Sequence, residues 1–302
     1  AQASDGGGSI RIPASVCGLV GMKPSRGRVA AGPAGGDTTM LSVLGPVART
    51  VADAAAMLDA MAVPQPGEPF FALPLPEGDS FEAHARREPG VLRIGRYVRP
   101  LVPDAVVEPE CHEAWERAAE LLESLGHHVE DVPPPVGHGI VSVFEVVWAV
   151  AAHSFPVESG REDRLVPLTR WWRARGAEVS GPGFLRAMQN LQQVARSAVL
   201  AHAAYDVVLT PTVAQPPRPV GWFTEPGGPA EDFERQKRFT PFTAVYNVTG
   251  QPALTLPLHW TDAGLPIGVQ LVGRPGDEAT LFELGAQLEA ARPWAHRYPA
   301  VI

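Results

Sequence analysis

The stretch ASDGGGSIRIPASVCGLVGMKPSRGRV, from Ala3 to Val29, gathers residue types that can do nucleophilic chemistry within a few positions of one another. Gly6, Gly7 and Gly8 run directly into Ser9, and the residues after the serine are compatible with a helix. Backbone N–H groups at such a glycine turn can converge on one spot and stabilise an oxyanion, because they are fixed dipoles in a site that excludes water. Glycine–serine tracts also make flexible linkers. A linker, however, is followed by a fresh start, whereas these glycines feed straight into the next element, so Ser9 is placed where chemistry can occur. Asp5 and Arg11 flank the serine, and an ion pair between them would brace the turn. Ser4 is open to two readings, a hydrogen bond within the site or a plain turn position. Cys17 has small apolar neighbours, which disfavour a thiolate, and is expected to be a packed, buried thiol.

Other chemistry is thinly represented. Lys23 and Lys237 are the only lysines among 25 Lys and Arg residues, so a mechanism needing a lysine base has two candidates in this chain. Among nine histidines, His127 and His128 are adjacent at a strand start, where side chains diverge, and CHEAWE at Cys111 to Glu116 lacks the second histidine of HExxH. Neither a metal nor a cofactor is expected. GMKPS lacks the frame of a phosphate loop. Trp148, Trp171 and Trp172 are read either as walls of a variable substrate pocket or as core aromatics. REDR at Arg161 to Arg164 reads as solvated surface.

The elements that must position these residues alternate between helix and strand. Thr50 and Asp53 form a capping pattern ahead of VADAAAMLDAMA, and Pro64 ends that helix. Residues Gln65 to Pro89, rich in Pro, Gly and charge, read as a surface excursion. VLRIGRYV from Val91 to Val98 predicts a strand. A helix comes next, with Pro109 in its first turn, Cys111, Trp115, Ala118, Leu122 and Leu125 on one face, and Gly126 as its stop. HHVEDVP completes the unit. EVVWAVAAHSF, LTRWWRARG and the run from Phe184 to Ala204 predict helices, and Val207 to Leu209 a buried strand. QPALTLPL and PIGVQLVGR predict strands joined by TDAGLP, after which Asp277 caps a helix presenting Leu281, Leu284 and Leu288. Strands apolar on both faces among helices predict an α/β sandwich around a mixed sheet.

Composition bounds the rest. The 302 residues are 45% hydrophobic and 19% charged, and the net charge of −8 offers no basic field to a phosphate backbone, so no nucleic-acid partner is expected. The two cysteines show no CxxC spacing and predict a reducing, cytoplasmic compartment. IVSVFEVVWAVAA is interrupted by Glu145 and is shorter than the roughly 20 residues of a membrane helix, so no membrane partner is expected.

DGGGSIRIPASVCG followed by GMKPSRGRV resembles the core of the amidase signature family, whose pattern is D-x-G-G-S-I-R-x-P-A/S-x-x-C-G and then G-x-K-P-T/S-x-G-R-V. The resemblance continues through Gly45 to Ala62, Tyr205 to Pro217 and Thr249 to Leu281, in family order. It implies an α/β/α sandwich around a mixed sheet and a cofactor-free hydrolase of small linear carboxamides with a Ser, cis-Ser, Lys triad. Ser9 falls on the acylating nucleophile. Gly6, Gly7 and Gly8, with the Ser9 amide, fall on the oxyanion-hole turn, and Gln251 and Pro252 on the active-site wall. A serine hydroxyl needs a neighbouring base, which in this family is a buried neutral lysine acting through the bridging serine.

Both partners belong to motifs that would precede Ala1. Lys23 matches the separate G-x-K-P segment, and Lys237 matches no catalytic motif. Residues 1–302 are therefore expected to be the C-terminal part of a single amidase domain, N-terminal part missing, and nearly inactive alone, since loss of base and relay removes several orders of magnitude in acyl transfer. A homodimer is the default assembly. Two alternatives stand beside this reading: the A subunit of a glutamyl- or aspartyl-tRNA amidotransferase, and a non-catalytic remnant with a binding role. Against the first, GRVAAGPAGGDTTMLSVLGPVART at Gly27 to Thr50 resembles free-standing bacterial amidases.

Overall fold

A computed structural model of the chain describes residues 1–32 and 37–298. In chain order its regular elements are β1 (Gln2–Asp5), α1 (Arg11–Val16), β2 (Val20–Lys23), β3 (Val43–Ala48), α2 (Val51–Met61), α3 (Phe81–His84), β4 (Arg93–Arg96), α4 (Pro109–Ser124) and β5 (His128–Asp131). The second half holds α5 (Ile140–Ser154), α6 (Pro167–Ala177), α7 (Gly181–Ala201), β6 (Val207–Pro211), α8 (Pro229–Phe239), α9 (Val245–Thr249), β7 (Ala253–Trp260), β8 (Pro266–Gly273) and α10 (Glu278–Ala291). The caps form as their residue types dictate: Thr50 accepts from the Asp53 N–H and Asp277 from the Thr280 N–H.

Eight strands form one mixed sheet in the order β1-β3-β2-β7-β8-β6-β4-β5. Pairing is parallel where β4 meets β5 and β6, and antiparallel elsewhere. The two-residue period of the strands sorts the core into two layers. Val207, Leu209, Leu254, Leu256 and Leu271 pack with α2, α4 and α10. Their alternates Val208, Ala253 and Val272 pack with α5, α7 and α9. This is the α/β/α sandwich around a mixed sheet that the sequence predicts. Among the described residues no helix is long and apolar enough to cross a membrane.

The first strands and several short helices carry no clear sequence signal. β1, β2 and β3 are four to six residues long, too short for a period to stand out. The helix α8 is strongly charged along PAEDFERQKRF and was not predicted. Of the segment from Gly27 to Thr50, residues 33–36 lie outside the described residues.

Candidate active site

Ser9 stands exposed in the turn between the end of β1 and the start of α1, on the wall of a cavity of about 370 Å³. That volume lies at the lower end of small-molecule sites. The turn is shaped by what lies beneath it. Asp5, fully buried at the end of β1, accepts the Gly8 N–H at 2.7 Å and the Ile10 N–H at 3.2 Å. Gly8 adopts φ +134°, and a Cβ there would stand 2.4 Å from Ile12 Cδ1 and 2.5 Å from Thr243 Oγ1, so only glycine fits. The Gly7 carbonyl accepts from Thr243 Oγ1 at 2.6 Å, and the Gly8 carbonyl accepts the Ile12 N–H that opens α1.

Arg11 supplies the brace. Its Nε and Nη2 form a two-point contact with Asp5, each at 2.9 Å. The remaining guanidinium hydrogens go to the Thr243 carbonyl, Gln270 Oε1 and Asn247 Oδ1, at 2.8, 2.7 and 2.6 Å. All five donors of a fully buried guanidinium are thereby satisfied, which is the condition for burying such a charge without a large penalty. Asn247 Nδ2 adds hydrogen bonds to the Asp5 carbonyl and to Oδ1. Burial alone would raise the Asp5 pKa, but the Arg11 charge and hydrogen bonds, aided by Lys23 and Asn247, hold it down at about 2.

This geometry corrects several sequence expectations. The Gly8 amide is donated to the Asp5 carboxylate, whereas among the described residues the amides of Gly6, Gly7 and Ser9 have no hydrogen-bond acceptor. Ser4 occupies neither a turn nor the site: it is an exposed strand residue opposite Leu44. Cys17 is exposed at the end of α1, so it is not the packed, buried thiol expected from its neighbours. Gln251 and Pro252 do not line the Ser9 cavity. Gln251 instead donates Nε2 to the Gly273 carbonyl at the end of β8. Thr243, Asn247 and Gln270, the partners of Arg11, escaped the sequence reading because each lies more than 230 residues along the chain from the motif it supports.

One wall of the cavity is a stripe of α5, and the facing wall runs from Phe233 of α8 to Val248 of α9. Ile140, Val141, Phe144 and Trp148 face the cavity at helical spacing, with Trp172 of α6 and Leu101 beside them. The Phe144 and Trp148 rings stack 5.5 Å apart, over Gly7 and Gly6 respectively. Trp148 and Trp172 are thus cavity walls, whereas Trp171 lies outside, stacked with Arg175.

Neither lysine is placed to act as a base. Lys23 is fully buried in β2, is absent from the cavity wall, and donates Nζ to the Pro24 carbonyl at 2.9 Å. Burial, with the nearby Arg11 charge, pulls its pKa down to about 7. Lys237 does line the cavity, but hydrogen bonds to Glu145 and Glu234 outweigh burial and hold its pKa above the ordinary lysine value, so it is an ammonium. Among the described residues no cluster of three or more His, Cys, Asp or Glu side chains could hold a metal ion.

The family model described as Amidase matches residues 1–282, and the chain belongs to the amidase signature family. A protein of Mycobacterium tuberculosis (strain ATCC 25618 / H37Rv) named "Putative amidase AmiB2" is 39% identical over 306 residues, covering 100% of this chain and 63% of that protein. The 6-aminohexanoate-cyclic-dimer hydrolase of Paenarthrobacter ureafaciens is 35% identical, covering 100% of this chain and 65% of the relative. This chain therefore spans a little under two thirds of the length of both. A solved structure of 6-aminohexanoate cyclic dimer hydrolase complexed with substrate superposes with a TM-score of 0.89 at 32% identity, over 99% of this chain and 66% of that one. A glutamyl-tRNA(Gln) amidotransferase subunit from Thermotoga maritima shares the fold, with a TM-score of 0.74 at 24% identity, over 97% of this chain and 62% of that one.

Proposed function

We propose that the whole protein is an amidase that hydrolyses a small linear carboxamide through an acyl-Ser9 intermediate. The observation that carries this reading is the exposed Ser9 on the cavity wall, held on a turn where Asp5 takes the Gly8 and Ile10 amides on either side of it. Ser9 Oγ attacks the amide carbonyl carbon as its proton passes to a base. The carbonyl oxygen becomes an oxyanion facing the N–H groups of Gly6, Gly7 and Ser9. Protonation of the nitrogen breaks the C–N bond and releases ammonia or an amine. Water then attacks the acyl-serine, giving the carboxylate and restoring Ser9. Since neither Lys23 nor Lys237 can serve, the base and the bridging serine implied by the resemblance come from outside residues 1–302.

The test is fluorophosphonate labelling with peptide mapping, on this chain and on a version extended with its upstream coding sequence. Labelling of Ser9 in the extended protein, its loss in Ser9→Ala, and little or none in residues 1–302 alone are expected. A folded extended protein whose Ser9 stays unlabelled would overturn the assignment.

A further inference from the structure

The cavity beside Ser9 is apolar along α5 except at one point. Glu145 interrupts the stripe of Ile140, Val141, Phe144 and Trp148, and its Oε1 accepts from Lys237 Nζ of α8 at 2.7 Å. Lys237 also holds Glu234, one turn back on its own helix, at 2.6 Å, and lies 5.2 Å from the centre of the Phe233 ring. Phe233 in turn meets Trp172 edge-on at 4.6 Å. Both members of the Glu145–Lys237 pair are mostly buried, with 19% and 16% of their side-chain surfaces exposed. A half-apolar helix face has no structural need of a buried ion pair, since a packed hydrophobic pair of similar volume is as stable or more so. The pair therefore calls for another role.

Its unused hydrogen-bonding capacity suggests that role. An ammonium has three donors, of which Lys237 commits two, to Glu145 and Glu234. The carboxylate of Glu145 keeps its second oxygen, for which the described residues provide no donor. One donor and one acceptor side by side match the C=O and N–H of an amide. A terminal carboxylate is poorly matched, because two carboxylates around one ammonium leave the group with an excess of negative charge. A terminal ammonium can pair with the free oxygen of Glu145 but brings a like charge beside Lys237 and leaves its third donor unused, and a methyl end leaves the pair unsatisfied.

Resting on the amidase reading, we propose that Glu145 and Lys237 are specificity-determining residues that bind a second, uncharged amide group of the substrate. The preferred substrate class is then a diamide: one amide reacts at Ser9, an apolar spacer lies on Phe144 and Trp148, and the other amide pairs with Glu145 and Lys237.

Four amides of one chain length test this on the protein expressed from its complete coding sequence: adipamide, hexanamide, adipamic acid and the ω-amino analogue of hexanamide. The readout is ammonia release as kcat/KM. Adipamide should exceed hexanamide by about tenfold or more, the scale of one or two charge-assisted hydrogen bonds, and should exceed the ω-amino analogue as well, with adipamic acid the poorest; an ω-amino analogue that outperforms adipamide overturns the proposal. In the double variant Glu145→Val, Lys237→Met, which leaves no unpaired partner within the pair, the adipamide-to-hexanamide ratio should collapse toward one. Equal kcat/KM for adipamide and hexanamide in the wild-type protein overturns the proposal without any variant having to fold. So does a ratio that survives in a folded double variant, or a protein labelled at Ser9 that turns over none of the four. An unlabelled Ser9 in the same preparation marks failure of the amidase reading instead.

Discussion

Asp5 and Arg11 show how much of a nucleophile's geometry is set by residues that never meet substrate. The two-point contact fixes the carboxylate, the carboxylate fixes the Gly8 and Ile10 amides, and Ser9 lies between them. Arg11→Met removes one half of a fully buried pair and leaves Asp5, Gln270 and Asn247 without their donor. Such a substitution should destabilise the fold by roughly 3–5 kcal/mol, read as a lowered denaturant midpoint. Arg11→Lys should not restore it, because an ammonium cannot reproduce the two-point fork. Ser9→Ala is expected to behave oppositely, with stability within about 0.5 kcal/mol of wild type because the side chain is exposed.

Among the elements, α5 and α6 decide the cavity. Gly176 of α6 lies so close to α5 that a Cβ would stand 2.1 Å from the Ala149 carbonyl oxygen and 2.7 Å from His153 Cβ. Gly176→Ala must push the helices apart, carrying Trp172 away from the cavity wall. The expected destabilisation is about 1–3 kcal/mol by thermal or chemical melting. In the extended protein, Ser9 labelling should persist while selectivity among acyl chains changes, because the glycine turn rests on Asp5 and Thr243 rather than on α6. Loss of labelling in a folded Gly176→Ala protein would show that the turn depends on the helix pair. The sequence predicted both helices but not their contact, since a glycine within a helical pattern carries no sign of what approaches it.

For the molecule as a whole, two buried ion pairs tie the first residues to the last third of the chain. Arg11 joins Asp5 to Gln270 of β8, and Arg28 joins the loop after β2 to Glu278 at the start of α10. Both carboxylates are held below their ordinary values: against the opposing effect of burial, Arg11 brings Asp5 to about 2, and Arg28 lowers Glu278. A depressed carboxylate pKa means that the unfolded chain binds protons first as pH falls. The stabilisation is therefore complete above the unfolded pKa, near 4, and is lost as pH drops through the folded value. For Asp5 the loss amounts to about 2 kcal/mol between pH 4 and pH 2. Denaturant midpoints measured across that window should fall steeply in the wild type and less steeply in Asp5→Asn, and equal slopes would disprove the linkage.

Local chemistry was enough to make much of this protein legible from its sequence. The glycine turn before Ser9, the Thr50 and Asp277 caps, the helix ended by Gly126 and the buried strands β6, β7 and β8 all arise from backbone sterics, capping and hydrophobic period, which act over a few residues. The Asp5–Arg11 pair was readable for the same reason, being six residues apart. Tertiary structure alone decided which amide of the turn Asp5 takes, that Thr243, Asn247 and Gln270 complete the shell of Arg11, and that Glu145 and Lys237 meet across the cavity. Those contacts join residues far apart in sequence. Their existence depends on how the layers pack on the sheet, and no local pattern encodes it.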